Sequence, residues 1–381
     1  NMALSKISND MFTTISRPNS IPLILNSDMA VAQRGASATA LTNGSDGYHT
    51  LDRWRFDENG APSYEFTMTQ ESLTSGNAYT DGFANAMKFD CTTAQGSLAS
   101  ADYIRVEQRL EGQDLQLIKK GTANAEKLTV AFWVKATKTG TNICTLVDAD
   151  NNRHCSQSYT ISTTNTWEHK VVNFPADTTG ALGDDNGRSL DVIWYIAAGA
   201  NFTGGTLATA WAGYSGTNEA VGQVNNADST SNNFHLTGVQ LEIGEFNSST
   251  LPPFQHESYD VNLKRCERYY QVVGSGTRAD NLTYFSAYNH DGTSTMFGIF
   301  NFRTTMRTGP SIDQTSGTDY YTFKCNNATD DFDGVNGFRG GIHAGEFYLS
   351  GGSSVGSSSA GEAGKVMGKD ASSHIALAAE L

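Results

Sequence analysis

The sequence predicts an all-β protein, in which an antiparallel jelly-roll β-sandwich is followed by a second, smaller β-domain. Short segments of alternating apolar and polar residues recur along the chain, and clusters of turn-forming residues separate them. Charged residues make up 17% of the 381 residues and hydrophobic ones 38%, while glycine alone contributes 38 residues. This composition suits short strands joined by turns and disfavours long helices. Many short antiparallel strands without intervening helices are typical of sandwiches and jelly rolls.

Strong turn signals separate the strands that are predicted in the first 250 residues. These strands cover residues 63–69, 101–112, 127–136, 142–148, 168–174, 190–199 and 233–244. The turn signals include Asn43-Gly44 and Asn151-Asn152, dipeptides that favour tight turns. The polar stretch 213–232 is long for a connection in a compact domain, so we expect a functional or disordered loop there.

The chain divides into four predicted parts. An N-terminal anchoring or linking arm covers residues 1–20, and the jelly roll covers 21–252. A junction segment covers 253–272, and a C-terminal β-domain covers 273–381. The junction begins where Pro252 and Pro253 follow an alternating strand, because proline cannot continue a sheet.

The C-terminal part repeats the β pattern after one short helix. The helix is predicted at residues 256–268 and is the only one that the pattern supports. Strands are predicted at residues 284–289, 295–306, 319–325, 345–350 and 374–381. The Gly/Ser-rich stretch 351–368 is expected to form a loop or a flexible segment.

Charge and cysteine content narrow the classes of function. The net charge of −14 argues against binding to nucleic acid or to an anionic membrane surface, and no apolar run is long enough to span a bilayer. The five cysteines show no paired CxxC spacing of a zinc site. Cys144 and Cys155 flank a predicted turn, where they are either joined by a disulfide or present as free buried thiols.

The motifs of common enzymes are absent from the sequence. There is no HExxH, no GxSxG and no phosphate-binding loop, and no pair of carboxylates stands out among the 40 acidic residues. Asp148 and Asp150 begin like a calcium loop, but Arg153 stands where glycine should turn the chain, and Tyr159 where a glutamate should bind. We therefore predict a turn there and no cofactor, while a calcium ion held by backbone carbonyls elsewhere stays open.

Strand parity yields the main candidate binding residues. Ile104, Val106 and Leu110 share one face of their strand, as do Leu128, Val130, Phe132 and Val134 of the next. The opposite faces then carry Arg105, Glu107, Arg109, Trp133 and Lys135, with Gln240 and Glu242 from the strand at 233–244. If these strands lie side by side, they form a charged face with an embedded tryptophan, which suits a sugar. The face could equally meet another subunit, and Trp133 could be core beneath a loop.

Two aromatic residues at the long loop complete the set. Trp211 precedes the loop and Tyr214 lies at its start, where aromatic side chains can project towards a ligand. They could equally anchor the loop to the sandwich. Trp54 and Trp167 are expected in the core.

A series of motifs, in matching order along the chain, resembles a known family. Gln33, Arg34 and Gly35 resemble the end of its Trp-Gln-Arg-Gly turn, with Ala32 in place of the tryptophan. Further similar motifs are Tyr48 with Asp52, Arg53 and Trp54, and the segments 107–112, 130–136, 184–199, 238–244, 265–271, 302–312 and 378–381. Together they resemble phage tail-fibre-like structural proteins that carry a jelly-roll carbohydrate-binding module, a family common in marine phages.

The resemblance implies a virion protein of a tail or fibre, assembled in the host cytoplasm and homotrimeric, with other virion proteins as partners. It implies that residues 21–252 are the carbohydrate-binding module, although a fold alone does not establish a function. We therefore predict a non-enzymatic protein that binds a host-surface glycan during adsorption. A purely structural adaptor or decoration protein is the first alternative, and a glycan-degrading depolymerase is the second.

Overall fold

The structure is a computed structural model that describes residues 21–60, 63–277, 283–292, 295–326, 328–349, 351–352 and 356–381. The predicted arm, residues 1–20, lies outside the described residues. The chain forms two compact units, and the boundary between them falls between Asn262 and Leu263, inside the predicted junction segment 253–272. Every pairing between strands that the structure describes is antiparallel.

The first unit contains two sheets, whose strands are numbered here in chain order. Sheet I has the spatial order β1 (Ser37–Leu41), β4 (Glu65–Ser72), β5 (Asn85–Thr93), β13 (Asn233–Ile243), β7 (Leu128–Ala136) and β10 (Glu168–Phe174). Sheet II has the order β12 (Ala212–Gly213), β9 (Arg153–Ile161), β8 (Gly140–Asp148), β11 (Arg188–Ala198), β6 (Tyr103–Glu111), β3 (Arg55–Asn59) and β2 (Gly47–Tyr48). The predicted jelly-roll sandwich is confirmed.

The core of this unit lies between the inner faces of the two sheets, as the strand parity predicts. Phe132 of sheet I packs edge-on against Trp194 of sheet II, with ring centroids 5.5 Å apart. Trp194 also lies 5.7 Å from Trp54, and all three side chains are fully buried. Each large aromatic ring removes much apolar surface from water, so this cluster is a principal source of the stability of the unit.

The first described segment of this unit, residues 21–36, does not form a strand. A buried asparagine holds this segment in an irregular path, since Asn26 adopts a positive φ of 50°. Its amide donates to the carbonyls of Val31 and Asp52, and its Oδ1 accepts from the Val31 N–H. Trp54 Nε1 donates to the Asn26 carbonyl at 3.0 Å. Side-chain hydrogen bonds thus replace the backbone ladder that a strand would use.

The residues that carry the family resemblance meet in this segment. The backbone N–H of Gln33 donates to Asp52 at 2.9 Å, and the Gln33 amide donates to the other oxygen of the same carboxylate. The guanidinium groups of Arg34 and Arg53 both lie over the ring of Tyr48, at 5.5 and 5.7 Å. These residues therefore fasten the start of the unit to the edge of sheet II, which is a structural role.

The second unit also contains two sheets. Sheet III has the order β14 (Tyr270–Ser275), β23 (His374–Ala378) and β17 (Ser311–Gln314). Sheet IV has the order β19 (Ala328–Phe332), β18 (Tyr321–Cys325), β22 (Ala363–Gly368), β15 (Phe285–Asn289), β16 (Met296–Asn301), β21 (Ala344–Leu349) and β20 (Val335–Gly340). The second β-domain is confirmed, but the predicted loop at 351–368 is wrong at its end, because residues 363–368 form β22. Lys365 and Val366 alternate there between the two faces of sheet IV, a period that glycine and serine mask in the sequence.

Helices are few and short. The predicted helix at 256–268 is α3 (Tyr259–Cys266), and one-turn helices not predicted from the sequence are α1 (Asn77–Thr80) and α2 (Ala200–Thr203). No helix in the described part of the chain is long and apolar enough to cross a membrane. All five cysteines are buried and free, and Cys144 and Cys155 lie diagonally across their hairpin, opposite Gln157 and Leu146.

Candidate carbohydrate-binding face

The nine predicted site residues do not share one face. Arg105, Glu107 and Arg109 lie on β6 in sheet II, whereas β7 and β13 are neighbours in sheet I. The outer faces of the two sheets lie on opposite sides of the sandwich, so the predicted charged face with an embedded tryptophan is split in two. Parity shows which side of a strand faces the core, but it does not show to which sheet the strand belongs. Here the chain changes sheet between β6 and β7.

The outer face of sheet II is an arginine–carboxylate network, defined here as Arg55, Asp57, Arg105, Glu107, Arg109 and Glu219. Arg105 Nε donates to Asp57 Oδ2 at 2.6 Å, and its Nη1 donates to Glu219 Oε1 at 3.3 Å. Glu107 Oε1 accepts from Arg109 Nε at 2.7 Å and from Arg55 Nη1 at 3.2 Å. These three acidic side chains are almost completely buried.

Burial and neighbouring charge act in opposite directions within this network. Burial raises the pKa of Glu107, and its arginine neighbours only partly offset this effect. Burial also tends to raise the pKa of Asp57, but the guanidinium groups of Arg105 and Arg55 outweigh it, so that pKa lies below its ordinary value. The charged groups of the network therefore bond mainly to one another, although Glu107 Oε2 is buried without a hydrogen-bond partner in the described part of the chain, and little of their hydrogen-bonding capacity is directed towards solvent.

Tyr214 joins the arginine–carboxylate network through the loop that follows β11. Its hydroxyl donates to Glu219 Oε2 at 2.8 Å, and Glu219 in turn accepts from Arg105. The same loop covers an apolar patch of sheet II that includes Ile143 and Ile193, both fully buried. The loop is thus packed onto the sheet over its middle part.

Trp211 has a different environment. Its Nε1 donates to the Pro175 carbonyl at 2.8 Å, and the ammonium group of Lys120 lies 5.2 Å from its ring centroid. Lys120 itself is buried, bonded to Asp148 and 3.0 Å from Asp177. Trp211 therefore anchors the chain to the end of the sandwich, which was one of its two predicted roles.

The turn that resembles the start of a calcium loop joins β8 to β9. The carboxylate of Asp148 accepts from Lys120 and from Asn151, and it stabilises the turn through these bonds. In the described part of the chain, no group of three or more His, Cys, Asp or Glu side chains is arranged to hold a metal ion.

Trp133 on the outer face of sheet I remains as a half-buried aromatic ring. Its Nε1 donates to Asp81 Oδ2 at 3.2 Å. Its cross-strand partner on β10 is His169, whose ring centroid lies 5.1 Å from that of Trp133. The hydrogen bond and the neighbouring ring hold the indole in one orientation, so a ligand that stacks on it would not have to order it first.

Trp133 packs on one side against a small apolar cluster that includes Phe83 and Trp167, and polar side chains lie along its other edge. Lys135 on the same strand lies 3.8 Å from Glu71 Oε2, and its ammonium group lies 5.1 Å from the ring of Trp167. Glu71 also accepts from His235 Nδ1 at 2.8 Å. Burial lowers the pKa of His169, and the negative charge of Asp81 offsets this effect only partly. The imidazole is therefore neutral near pH 7 and can both donate and accept hydrogen bonds.

The two predicted residues of β13 contribute less to this surface. Gln240 is only 8% exposed, because its amide donates to the Pro252 carbonyl at 3.2 Å and also lies 3.5 Å from Glu242 Oε1. The segment that follows β13 runs back over this part of sheet I, where the N–H of Phe246 donates to Thr129. Trp133, Lys135 and the half-buried Glu242 are therefore the predicted residues that keep exposed surface on this face.

Sequence reasoning missed Asp81, His169 and Glu71. His169 lies opposite Trp133 because β10 pairs with β7, a register that the sequence does not reveal. Asp81 follows α1 and belongs to an Asp81-Gly82 turn signal, but a turn signal does not show that the side chain is directed towards β7. The one signal in the sequence that could have identified His169 was the alternation of side chains along 168–174. This alternation places His169, Val171 and Asn173 on the face opposite Val172 and Phe174.

Comparisons with known proteins give only remote likenesses. No protein-family model matches the sequence, and no curated protein matches it. The solved structures similar to this chain include tailspike protein 4 of bacteriophage CBA120, with 11% identity and a TM-score of 0.28 over 50% of this chain and 19% of the tailspike chain. They also include a putative sugar binding protein from Bacteroides thetaiotaomicron, with 14% identity and a TM-score of 0.32 over 58% of this chain and all of the other.

A third similar structure is the family 11 carbohydrate-binding module of the cellulase Lic26A-Cel5E of Clostridium thermocellum. It has 12% identity and a TM-score of 0.27, over 56% of this chain and 98% of the module. Likenesses at this level do not transfer a ligand from those proteins to this chain.

Proposed function

We propose that this chain is a non-enzymatic virion protein whose first unit binds a glycan on the outer face of sheet I. The observation that supports the proposal is the environment of Trp133. The indole is half-buried, fixed by Asp81 and flanked by the neutral imidazole of His169. We name these residues, together with Lys135 and Glu71, the Trp133 patch.

The chemistry of the Trp133 patch fits a sugar ring. An aromatic face stacks on the apolar side of a pyranose, while ammonium, carboxylate and imidazole groups at its edge bond the hydroxyls. Both signs of charge are present within the patch, since Glu71 and Asp81 lie near Lys135 and Trp133. Two carboxylates against one ammonium group, with a neutral imidazole, give the patch a net charge of −1, which favours an uncharged glycan over a polyanion.

The virion role rests on the motifs that resemble phage tail-fibre-like proteins in matching order. In such a role, each sugar contact can be weak, with a Kd of about 1 mM, because several copies on one particle engage together. The proposal contains no catalytic step. Release of products from a polysaccharide by the purified protein would contradict that part.

A glycan array probed with the purified chain tests the binding proposal, and titration with the best ligand then gives its Kd. We expect Trp133→Ala to weaken binding by tenfold or more, on the order of 1.4 kcal/mol, because the stacking surface is lost. The matched control is Trp211→Ala, which removes a half-buried indole that anchors the end of the sandwich. Its binding should be unchanged if the melting curve shows a folded protein.

A structural adaptor is the second candidate function. It is favoured by the arginine–carboxylate network, whose groups bond one another, and by Gln240, which is covered by its own chain. An array on which a folded wild-type protein binds no glycan would exclude the first proposal in favour of the adaptor. Equal binding by the wild type and Trp133→Ala would instead exclude the Trp133 patch as the binding site.

A further inference from the structure

Sheet IV of the second unit carries a row of aromatic side chains on its solvent-facing side. Tyr288, Phe297 and Tyr348 occupy opposed positions on the neighbouring strands β15, β16 and β21. Their ring centroids are 6.0 and 5.3 Å apart along the row. Tyr288 is 41% exposed, and Ile299 on β16 is 63% exposed. Exposed apolar groups that cluster in this way mark an interaction surface.

Two rows of residues cross this face from β22 to β21. The first row is Ala363, Tyr288, Phe297 and Tyr348, and the second row is Lys365, Ser286, Ile299 and Glu346. The first row has a small side chain at its β22 end and a large one at its β21 end. The second row has a cation at its β22 end and an anion at its β21 end. A second copy turned by 180° about an axis along the strands presents each row in the opposite order. The cation of one copy then meets the anion of the other, and the small side chain meets the large one.

We propose that this face of sheet IV pairs with the same face of a second copy of this chain, about a twofold axis parallel to the strands and between β15 and β16. Such an axis places β22 of one copy opposite β21 of the other and β15 opposite β16. Lys365 then faces Glu346 of the second copy, and this pair forms twice. Ala363 faces Tyr348 in the same way, so a small side chain meets a large one.

The chemistry of the face supports a protein partner of this kind. Among the residues that the structure describes, neither Lys365 nor Glu346 has an opposite charge within 4 Å, although Glu346 lies opposite Arg339 on β20, so both can still bond to a second copy. Interfaces between identical subunits are rich in aromatic side chains, and twofold interfaces require a surface complementary to itself. Two sheets can pack face to face with their strands nearly aligned. An exposed aliphatic side chain such as Ile299 suits such packing better than it suits a sugar.

The same axis also brings like charges together at the rim, where Lys324 of β18 faces Arg339 of β20. Both side chains are exposed, so water and salt screen this repulsion. Lys324→Ala removes it without touching the two central rows. We therefore expect Lys324→Ala to strengthen self-association at low salt, and to have less effect at high salt.

Light scattering and sedimentation of the full chain test the pairing. We expect the wild type to be a dimer or a multiple of a dimer, so a homotrimer of the kind that the resemblance implies would pair through this face into a hexamer. Lys365→Glu or Glu346→Lys should each weaken association at least about tenfold, because like charges then face each other. The double variant Lys365→Glu with Glu346→Lys restores opposite charges and should restore association. Lys127→Glu, the same reversal at an exposed lysine of the first unit, is the matched control and should change nothing.

Several results would overturn the proposal. The first is a wild type that is monomeric. The second is a trimer whose mass neither single charge reversal changes. The third is a double variant that associates no more strongly than the single variants. A monomer that binds polysaccharide through Tyr288 and Tyr348, and loses it when both become alanine, would identify the face as a sugar platform instead. Because each reversal is at a partly exposed position, circular dichroism is expected to show an unchanged fold.

Discussion

His154 is a fully buried side chain whose two ring nitrogens lack hydrogen-bond partners in the described part of the chain. It lies on the outer side of β9, beneath Tyr214, whose ring centroid is 5.3 Å away. Burial lowers the pKa of His154 below its ordinary value of 6.5, and the negative charge of Glu219 offsets this only partly. The imidazole is therefore held neutral in the folded chain, where protonation would place an unpaired charge.

Part of the pH dependence of stability follows from that depressed pKa, and the lowered pKa values of His169 and His235 add to it. The unfolded chain takes up a proton on His154 near pH 6.5 and the folded chain does so at a lower pH, so stability falls as the pH decreases through this window. The slope is at most about 1.4 kcal/mol per pH unit for one histidine. We expect His154→Phe to flatten this slope and to raise the free energy of unfolding at pH 5 by about 1 to 3 kcal/mol.

Urea unfolding of the wild type and His154→Phe at pH 7, 6 and 5 measures the effect. His343→Gln, at an exposed position, is the control and should keep the wild-type slope. Equal slopes for His154→Phe and the wild type would show that His154 has water or another partner in solution.

Among the strands, β13 shows how one residue changes the face that a segment presents. Thr237 pairs with Trp133, but Gln240 pairs with Ala131, so β13 contains one extra residue at this point. The bulge includes Gly238, whose φ of 60° lies in the left-handed region. As a result Leu236 and Val239 both face the core although three positions separate them, and Gln240 faces outwards.

We expect Gly238→Ala to destabilise the first unit by about 2 to 4 kcal/mol, because two costs add. The left-handed backbone is unfavourable for alanine, and its Cβ would lie 2.6 Å from the ring of Phe83. Urea unfolding measures the change. Gly96→Ala, where a Cβ would meet nothing within 4 Å, is the matched control and should be close to neutral. A near-neutral Gly238→Ala would mean that the ring of Phe83 moves aside easily.

The chain as a whole contains two separate cores. The first includes Trp54, Phe132 and Trp194, and the second includes Phe285 and Phe347, whose rings stack at 4.7 Å. A unit with its own core can in principle fold alone. The end of the first unit includes Asn262, whose side chain accepts from the N–H of Asn26 and donates to Asp28.

We therefore expect residues 21–268, which keep Asn262 and all of α3, to fold without the rest of the chain. The fragment should show a β-type circular dichroism spectrum and a cooperative melting transition. It should also bind the same glycan as the full chain, with the same loss on Trp133→Ala. A fragment that melts without cooperativity would show that the first unit depends on residues beyond 268.

The sequence by itself determined the fold class, the strands and the inward side chains of the first unit, because period-two patterning and turn residues are local signals. It did not determine which strands become neighbours. Arg105 and Trp133 both lie on the side of their strand that faces away from the core. They nevertheless belong to different sheets, because strand pairing depends on long-range backbone hydrogen bonds. The partners of Trp133, which are Asp81 and His169, come from distant segments for the same reason. Only the tertiary structure reduced the predicted face to the Trp133 patch and aligned Lys365 with Glu346 across sheet IV.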